Sequence, residues 1–250
     1  MGMVNPAQHA SHLLDTMWRR ERWHQTHATG WLGDAIYGVN DGLGAIFGII
    51  AGVAGYTANT HTVLISGLFG ALASTLSMGA GAWLATKSES ELQHQEIEHE
   101  RREILEDKEH ELEELVLLYQ LKGFSEADAQ KIANKIAQDD ELFVKTMAQE
   151  ELGIQEISSG GHWKSAFVGS VSTLVGGVVP LIPLFFLTGS AALIGAAIVS
   201  ILAHFAVGAA KSVLTVRSWW ASGVEMTFAG IIVGVVAYGL GFLGTLLIHV

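Results

Sequence analysis

Residues 42–86, 165–210 and 226–250 contain no Asp, Glu, Lys or Arg. A helix needs about 20 predominantly apolar residues to cross the hydrocarbon core of a bilayer. The first two runs therefore hold two crossings each and the third holds one, with short breaks at 57–61 and 188–190. This pattern predicts five transmembrane helices, over 31–56, 62–86, 165–187, 191–210 and 222–248. Between the second and third of these, over 87–163, the chain turns polar while keeping helical periodicity. Residues 88–121 read as one long helix without Gly or Pro, stopped by Gly123. Ser125-Glu126-Ala127-Asp128 has a capping-type start for a second helix, and a third follows Asp139-Asp140 and runs through Glu151 to Gly153. The expected fold class is all-α: a membrane protein of five transmembrane helices with a three-helix domain inserted between spans two and three. Segment 5–27 reads as an amphipathic helix on the membrane surface, with Leu13, Leu14, Met17 and Trp18 apolar and Arg19, Arg20 and Arg22 basic. The expected boundaries are 1–30 for this interfacial helix, 31–86 for spans one and two, 87–163 for the inserted domain and 164–250 for spans three to five.

Charge fixes the orientation. All 14 Lys and Arg lie before span one, in the insertion, at the start of span three, or between spans four and five. Five crossings put every one of these regions on the same side, which the positive-inside rule makes cytoplasmic. The first thirty residues have no apolar centre of the kind a cleavable leader carries, so span one is expected to act as its own insertion signal. The net charge of −11 is a local property. The insertion holds 20 of the 25 acidic residues and 8 of the 14 basic ones, a balance of −12. A disulfide framework is excluded, since there is no Cys.

Within the insertion, Glu96, Glu100, Glu103, Asp107, Glu111 and Glu114 recur at steps of three and four, on one face of a helix. Stacked like charges cost a few tenths of a kcal/mol per pair, so such a face invites neutralisation by cations. Arg101, Arg102 and Lys108 could equally stabilise it as a solvated face. On a straight helix Glu100/Glu103 and Glu111/Glu114 stand about 16 Å apart, too far for one ion. Either there are two or more sites, or the helix breaks and brings the pairs together. Asp34, Asp41 and Glu225 lie at or within spans, where an ionisable group is a functional candidate by default. Glu225 could instead pair with Arg217 or Lys211. Met78 in span two adds a thioether. Carboxylates with a thioether suit Fe²⁺ or Mn²⁺ better than Mg²⁺ or Ca²⁺; Zn²⁺ and Co²⁺ are further candidates. The pairs His9/His12 and His24/His27 have metal-ligand spacing, though His residues near an interfacial helix are more often bystanders. Gly44, Gly48 and Gly52 form a stripe of the kind that packs helices closely and often pairs subunits.

Taken together, Asp41-Gly42-Leu43 in span one, Ser77-Met78-Gly79 closing span two, the Glu-rich insertion ending in Met147-Ala148-Gln149-Glu150-Glu151-Leu152-Gly153, and Pro180-Leu181-Ile182-Pro183 in span three resemble the vacuolar iron transporter family of divalent-metal transporters. The resemblance runs from about residue 33 to the end. It implies a homodimer of five-span subunits, here expected to pair through span one. It also implies a cytoplasmic three-helix metal-binding domain and exchange of metal for protons. By position, Glu100, Glu103, Glu111, Glu114, Met147 and Glu151 match the family's metal-domain ligands, and Glu150 is taken with them. Asp41 and Met78 match its membrane path, and Asp34 a second acidic position in span one. Ala148 stands where the family often has a second Met, and Gly70 where it has an acidic residue, for which Glu225 is the candidate substitute.

The expected function is export of Fe²⁺ and/or Mn²⁺ from the cytoplasm by exchange with protons, with no enzymatic activity, no other cofactor and no nucleic-acid partner. The partners are the metal ions, protons, the lipid bilayer and a second copy of the chain. A bacterial inner membrane is expected ahead of a vacuolar one. The alternative is a membrane-anchored metal-storage, ferroxidase or metal-sensing protein, for which Glu91-Leu92-Gln93-His94 would supply one Glu-x-x-His element.

Overall fold

The apolar runs become helices whose ends are set by identifiable caps. A computed structural model describes residues 29–154, 161–215 and 217–248; the interfacial helix expected over 5–27 and its His pairs lie outside them. The described residues form helices and turns, with no strand among them. In chain order these are α1 (Thr29–Tyr56), α2 (Thr60–Glu106), α3 (Lys108–Leu121), α4 (Glu126–Ile136), α5 (Asp140–Glu150), α6 (Gly161–Val178), α7 (Ile182–Phe186), α8 (Gly189–Thr215) and α9 (Trp219–Ile248). Five stretches are long and apolar enough to cross a membrane: Ala35–Tyr56, the apolar part of Thr60–Glu106, Gly161–Phe186, Gly189–Ser212 and Trp219–Leu247.

Two differences from the sequence expectation stand out. The second helix does not stop at 86 but continues to Glu106, because nothing between 82 and 106 is Gly or Pro. The single helix expected over 88–121 is instead broken at Asp107, which has a non-helical backbone (φ −146°, ψ 72°) and whose side chain accepts a hydrogen bond from the His110 N–H at 3.1 Å. Elsewhere the caps follow the sequence. Ser125 Oγ accepts from the Asp128 N–H, and Asp139 Oδ1 from the Glu141 and Leu142 N–H groups. Gly123 takes φ +95° after α3.

The chain divides into two compact units, Met1–Ala82 with Lys164–Val250, and Trp83–Trp163. In the first, α1, α8 and α9 pack on one another, and α6 is broken by Pro180 into a 3₁₀ turn, Val179–Leu181, leading into α7. Backbone meets backbone at glycines. A Cβ on Gly42 would stand 2.0 Å from the Thr173 carbonyl oxygen, one on Gly176 2.0 Å from that of Val39, and one on Gly241 1.9 Å from that of Gly52. The Gly44/Gly48/Gly52 stripe is engaged within the chain: Gly48 faces Val233, Gly52 faces Ala237, and Gly44 faces His204. It is therefore not a free surface for pairing subunits.

In the second unit, the last turns of α2 pack with α3, α4 and α5 around Ile104, Leu115, Val116, Ala129, Ala133, Phe143, Val144 and Met147. This core explains the break at Asp107. Turning the chain back there buries Ile104, Leu115 and Val116 together, which one straight helix could not do.

Candidate metal centre

The break also brings the carboxylates together. Oxygens of Glu100 on α2, Glu111 on α3 and Glu151 at the C-cap of α5 all lie within 4.8 Å of one another. Glu100 is 2% exposed and Glu111 6%. One oxygen of Glu100, Oε1, is buried without a hydrogen-bond partner, an expensive state for an acceptor. Burial, followed by the negative charges of Glu151, Glu111 and Glu103, pushes the Glu100 carboxyl up to about 8. Burial also raises Glu111, helped by Glu114, Glu103 and Glu151, and raises Glu151, helped by Glu114 and Glu103. Three carboxyl groups that resist ionising side by side become carboxylates readily when a cation arrives, since a metal and a proton compete for the same lone pairs.

A second group shares Glu111. His110, Glu111 and Glu114 also present ligand atoms within 4.8 Å of one another. Glu103 stands at the rim, with its Oε2 2.9 Å from His99 Nδ1. Neither His110 nor His99 was among the residues expected from the sequence; the adjacency of His110 to Glu111 and the four-residue step from His99 to Glu103 were the available signals. Met147 is fully enclosed among Ile104, Leu115, Phe143 and Val144, one turn before Glu151. Glu150, expected with the ligands, is instead paired with Lys122. Around the cluster, Arg101 pairs with Glu141 and Lys108 with Asp140, so the basic residues that could have neutralised the acidic face are engaged elsewhere. Arg102 donates to the Glu98 carbonyl oxygen at 3.3 Å.

In the transmembrane unit, Asp41 is half-buried and its Oδ2 accepts from Ser74 Oγ at 3.5 Å. Met78 is one turn beyond Ser74 on α2, and its Cγ would be 3.3 Å from a Cβ on Gly169. Gly42, beside Asp41, lies on Thr173, one turn along α6 from Gly169. Gly42, next to Asp41 in the chain, and Met78 thus meet the same turn of α6. The hydroxyls of Thr173 and Thr75 nearby in sequence are buried without partners. Asp34 belongs to α1, its side chain lying outside the described part. Glu225 is exposed and accepts a hydrogen bond from Arg217 at 3.0 Å, and Gly70 packs on Ile46 and Ile49, so Glu225 does not occupy the place of an acidic residue at 70.

A sequence profile of the VIT family matches residues 32–242. The chain belongs to the VIT family. Curated relatives carry the name vacuolar iron transporter. That of Toxoplasma gondii is 31% identical over 251 residues, covering 95% of this chain and 83% of the relative. Vacuolar iron transporter 1 of Eucalyptus grandis is 29% identical over 208 residues, covering 83% of this chain and 84% of the relative. Vacuolar iron transporter 1 of Tulipa gesneriana is 28% identical over 240 residues, covering 96% of each chain. VIT-family members are transporters and not enzymes, and the apolar helices of this one make it an integral membrane protein.

Proposed function

We propose that this protein exports Fe²⁺, and Mn²⁺ by the same route, out of the cytoplasm in exchange for protons. The observation that carries this reading is the buried, partnerless oxygen of Glu100 beside Glu111 and Glu151, a set of hard ligands whose carboxyls are all pushed toward the protonated form and can give up protons to a cation. Relatives named vacuolar iron transporters support iron as the cargo, and carboxylate-rich sites with a thioether accept Mn²⁺, Zn²⁺ or Co²⁺ as competitors. The inserted unit lies in the cytoplasm in this reading, captures the ion at Glu100, Glu111, Glu151 and the Glu103/Glu114 rim, and raises its local concentration. The ion then crosses at Asp41 and Met78, with alternating access exposing that place to either side. A homodimer would pair through the other face of α1, where Tyr37, Ala45 and Ile49 are exposed at four-residue steps around Asp41. The relatives' names favour a vacuolar-type membrane over the bacterial inner membrane expected from the sequence.

Storage or ferroxidase chemistry is less well supported. Glu91 pairs with Lys87 at 3.5 Å and His94 is exposed, so this Glu-x-x-His element stays out of the carboxylate cluster. The deciding experiment is reconstitution into liposomes containing an iron-sensitive dye, with Fe²⁺ kept reduced outside and a pH gradient imposed. Wild type should move Fe²⁺ with protons moving oppositely, and Asp41→Ala should abolish flux. Full flux in Asp41→Ala would reject the route. No flux in wild type, with metal still bound, would reject transport in favour of storage or sensing.

A further inference from the structure

His204 on α8 is 3% exposed, deep within an apolar helix. Its Nδ1 lies 2.8 Å from the Ser200 carbonyl oxygen. A carbonyl oxygen only accepts, so Nδ1 carries the hydrogen and donates it, and Nε2 of the neutral ring keeps a free lone pair. Nε2 is turned toward Gly44 of α1, 4.0 Å from where a Cβ there would stand. On the α9 side, a Cβ on Gly230 would lie 2.7–2.8 Å from ring atoms, so only glycine leaves room for the imidazole. Phe47 meets the ring edge-on, with centroids 6.2 Å apart. Packing alone would be served by a leucine here, without the cost of burying a polar ring.

A cavity one to two turns farther along the same helices gives the ring a task. This cavity, of about 260 Å³, is lined by Tyr37, Asn40, Lys211, Thr215 and Met226, among others. Asn40 is one turn before Gly44 on α1, and Met226 is one turn before Gly230 on α9. Lys211 is two turns beyond His204 on α8. On all three helices, the cavity thus ends within one or two turns of the imidazole and toward the same end of the bundle. Its lining is mostly apolar, and its volume and the polar groups of Tyr37, Asn40, Lys211 and Thr215 admit a few water molecules. Its lysine repels a divalent cation, so the cavity suits protons and water rather than metal.

The titratable and charged groups facing this region are few. On α1 they are Tyr37, at the cavity, and Asp41, three residues before Gly44; on α8, Lys211. On α9, Glu225 is exposed and paired with Arg217, and Tyr238 lies two turns beyond Gly230. The 3₁₀ turn and α7 carry none.

We propose that His204 carries the proton of the exchange cycle: Nε2 takes up a proton from the side that receives the metal and releases it to the opposite side, toward the cavity, when the metal site refills. This rests on the exchange reading above. The imidazolium and a divalent cation at Asp41, one helical turn from Gly44, repel each other, so each site favours being filled when the other is empty. Metal and proton can then use separate entries and still be coupled.

The test uses the full-length protein in liposomes, with Fe²⁺ kept reduced, a pH dye inside, and the voltage clamped by valinomycin and K⁺. His204→Gln retains polarity and size but cannot carry a proton in this way. It should reduce Fe²⁺-dependent proton flux about tenfold or more, a change of at least 1.4 kcal/mol in barrier. Downhill Fe²⁺ flux should fall far less. An unchanged ratio of protons to Fe²⁺ in a folded His204→Gln protein would overturn the proposal. Should that variant lose both fluxes or fail to fold, Lys211→Gln decides. Removing the cation in the cavity should move the pH profile of proton flux to higher pH, and an unmoved profile would overturn the proposal. Wild type that moves no Fe²⁺ at all would remove the exchange reading itself, an outcome distinct from either of these.

Discussion

Glu100 and Glu111 are separated by eleven residues, yet their carboxylate oxygens lie within 4.8 Å of each other in a common group with Glu151. On a continuous helix the same residues would be about 16 Å apart. The reversal at Asp107 makes the difference, and it converts a line of repelling charges into a compact cluster of carboxylates.

That geometry sets a pH dependence in the metal-free protein. The Glu100 carboxyl is pushed up to about 8 from an ordinary value of 4.5, so between these values the folded state binds more protons than the unfolded state. Stability is therefore greatest toward the acidic end of this window and falls as pH rises through it. Glu111 and Glu151 are raised too and add to the same slope. Thermal melts of the full-length protein in detergent with a chelator should show the melting temperature of the Trp83–Trp163 unit falling from pH 5 to pH 8. Glu100→Gln should flatten most of the decline. A melting temperature that rises over this range would contradict the assignment.

Metal binding should run the other way. Because bound protons must leave, affinity should increase with pH, and each Fe²⁺ or Mn²⁺ bound near pH 7 should release about one proton or more. Calorimetric titrations of Mn²⁺ in two buffers of different ionisation enthalpy measure this directly. Identical heats in both buffers would count against displacement of protons from Glu100.

Glu100→Ala, Glu111→Ala and Glu151→Ala should each weaken Mn²⁺ binding about tenfold or more, equivalent to at least 1.4 kcal/mol. Glu150→Ala removes only the pair with Lys122 and should change affinity less than about twofold, within the range of an exposed ion pair. Equal losses for Glu150→Ala and Glu100→Ala would mean that the ligand set has been drawn wrongly.

Asp107→Ala removes the cap on α3 and favours a straight continuation of α2. A lost cap costs about 1 kcal/mol, and the affinity for Mn²⁺ should fall with it, because Glu100 and Glu111 would separate. Asp107→Asn, which keeps an acceptor for the His110 N–H, should restore most of both. Circular dichroism and metal titration of the two variants together provide the comparison.

The transmembrane unit offers a steric test. Gly42→Ala would put a methyl group 2.0 Å from the Thr173 carbonyl oxygen, whereas nothing lies within 4 Å of a Cβ at Gly81. Gly42→Ala should sharply reduce the yield of folded protein, and Gly81→Ala should not. Fluorescence-detected size exclusion in detergent distinguishes them.

Much of this was legible from residue order. The charge-free runs mark five apolar helices because no water exists within a bilayer to solvate a charge or an open backbone group, which makes length and hydropathy sufficient to find them. Ser125, Gly123 and Asp139 were legible as boundaries because caps act through neighbouring backbone groups. The Glu100 to Glu114 spacing marked the candidate ligands, because helical periodicity is local. The roles of Gly44, Gly48 and Glu150 were not. Gly44 and Gly48 form a helix-pairing motif whichever helix they meet, and here they meet His204 and Val233 of the same chain. Glu150 and Glu151 are chemically alike, and only the direction each takes from the end of α5 sends one to Lys122 and the other to Glu100.

The sequence by itself determined the apolar helices, the acidic concentration between them and the chemical kind of ligand available, since these follow from short-range pattern and solvation. Tertiary structure decided the break at Asp107, the meeting of Glu100 with Glu111 and Glu151, and the enclosure of His204 between Gly44 and Gly230. Each of those depends on which distant surfaces bury one another. A helix propensity cannot register that Ile104 gains more by folding back onto Leu115 and Val116 than Asp107 loses by leaving the helix.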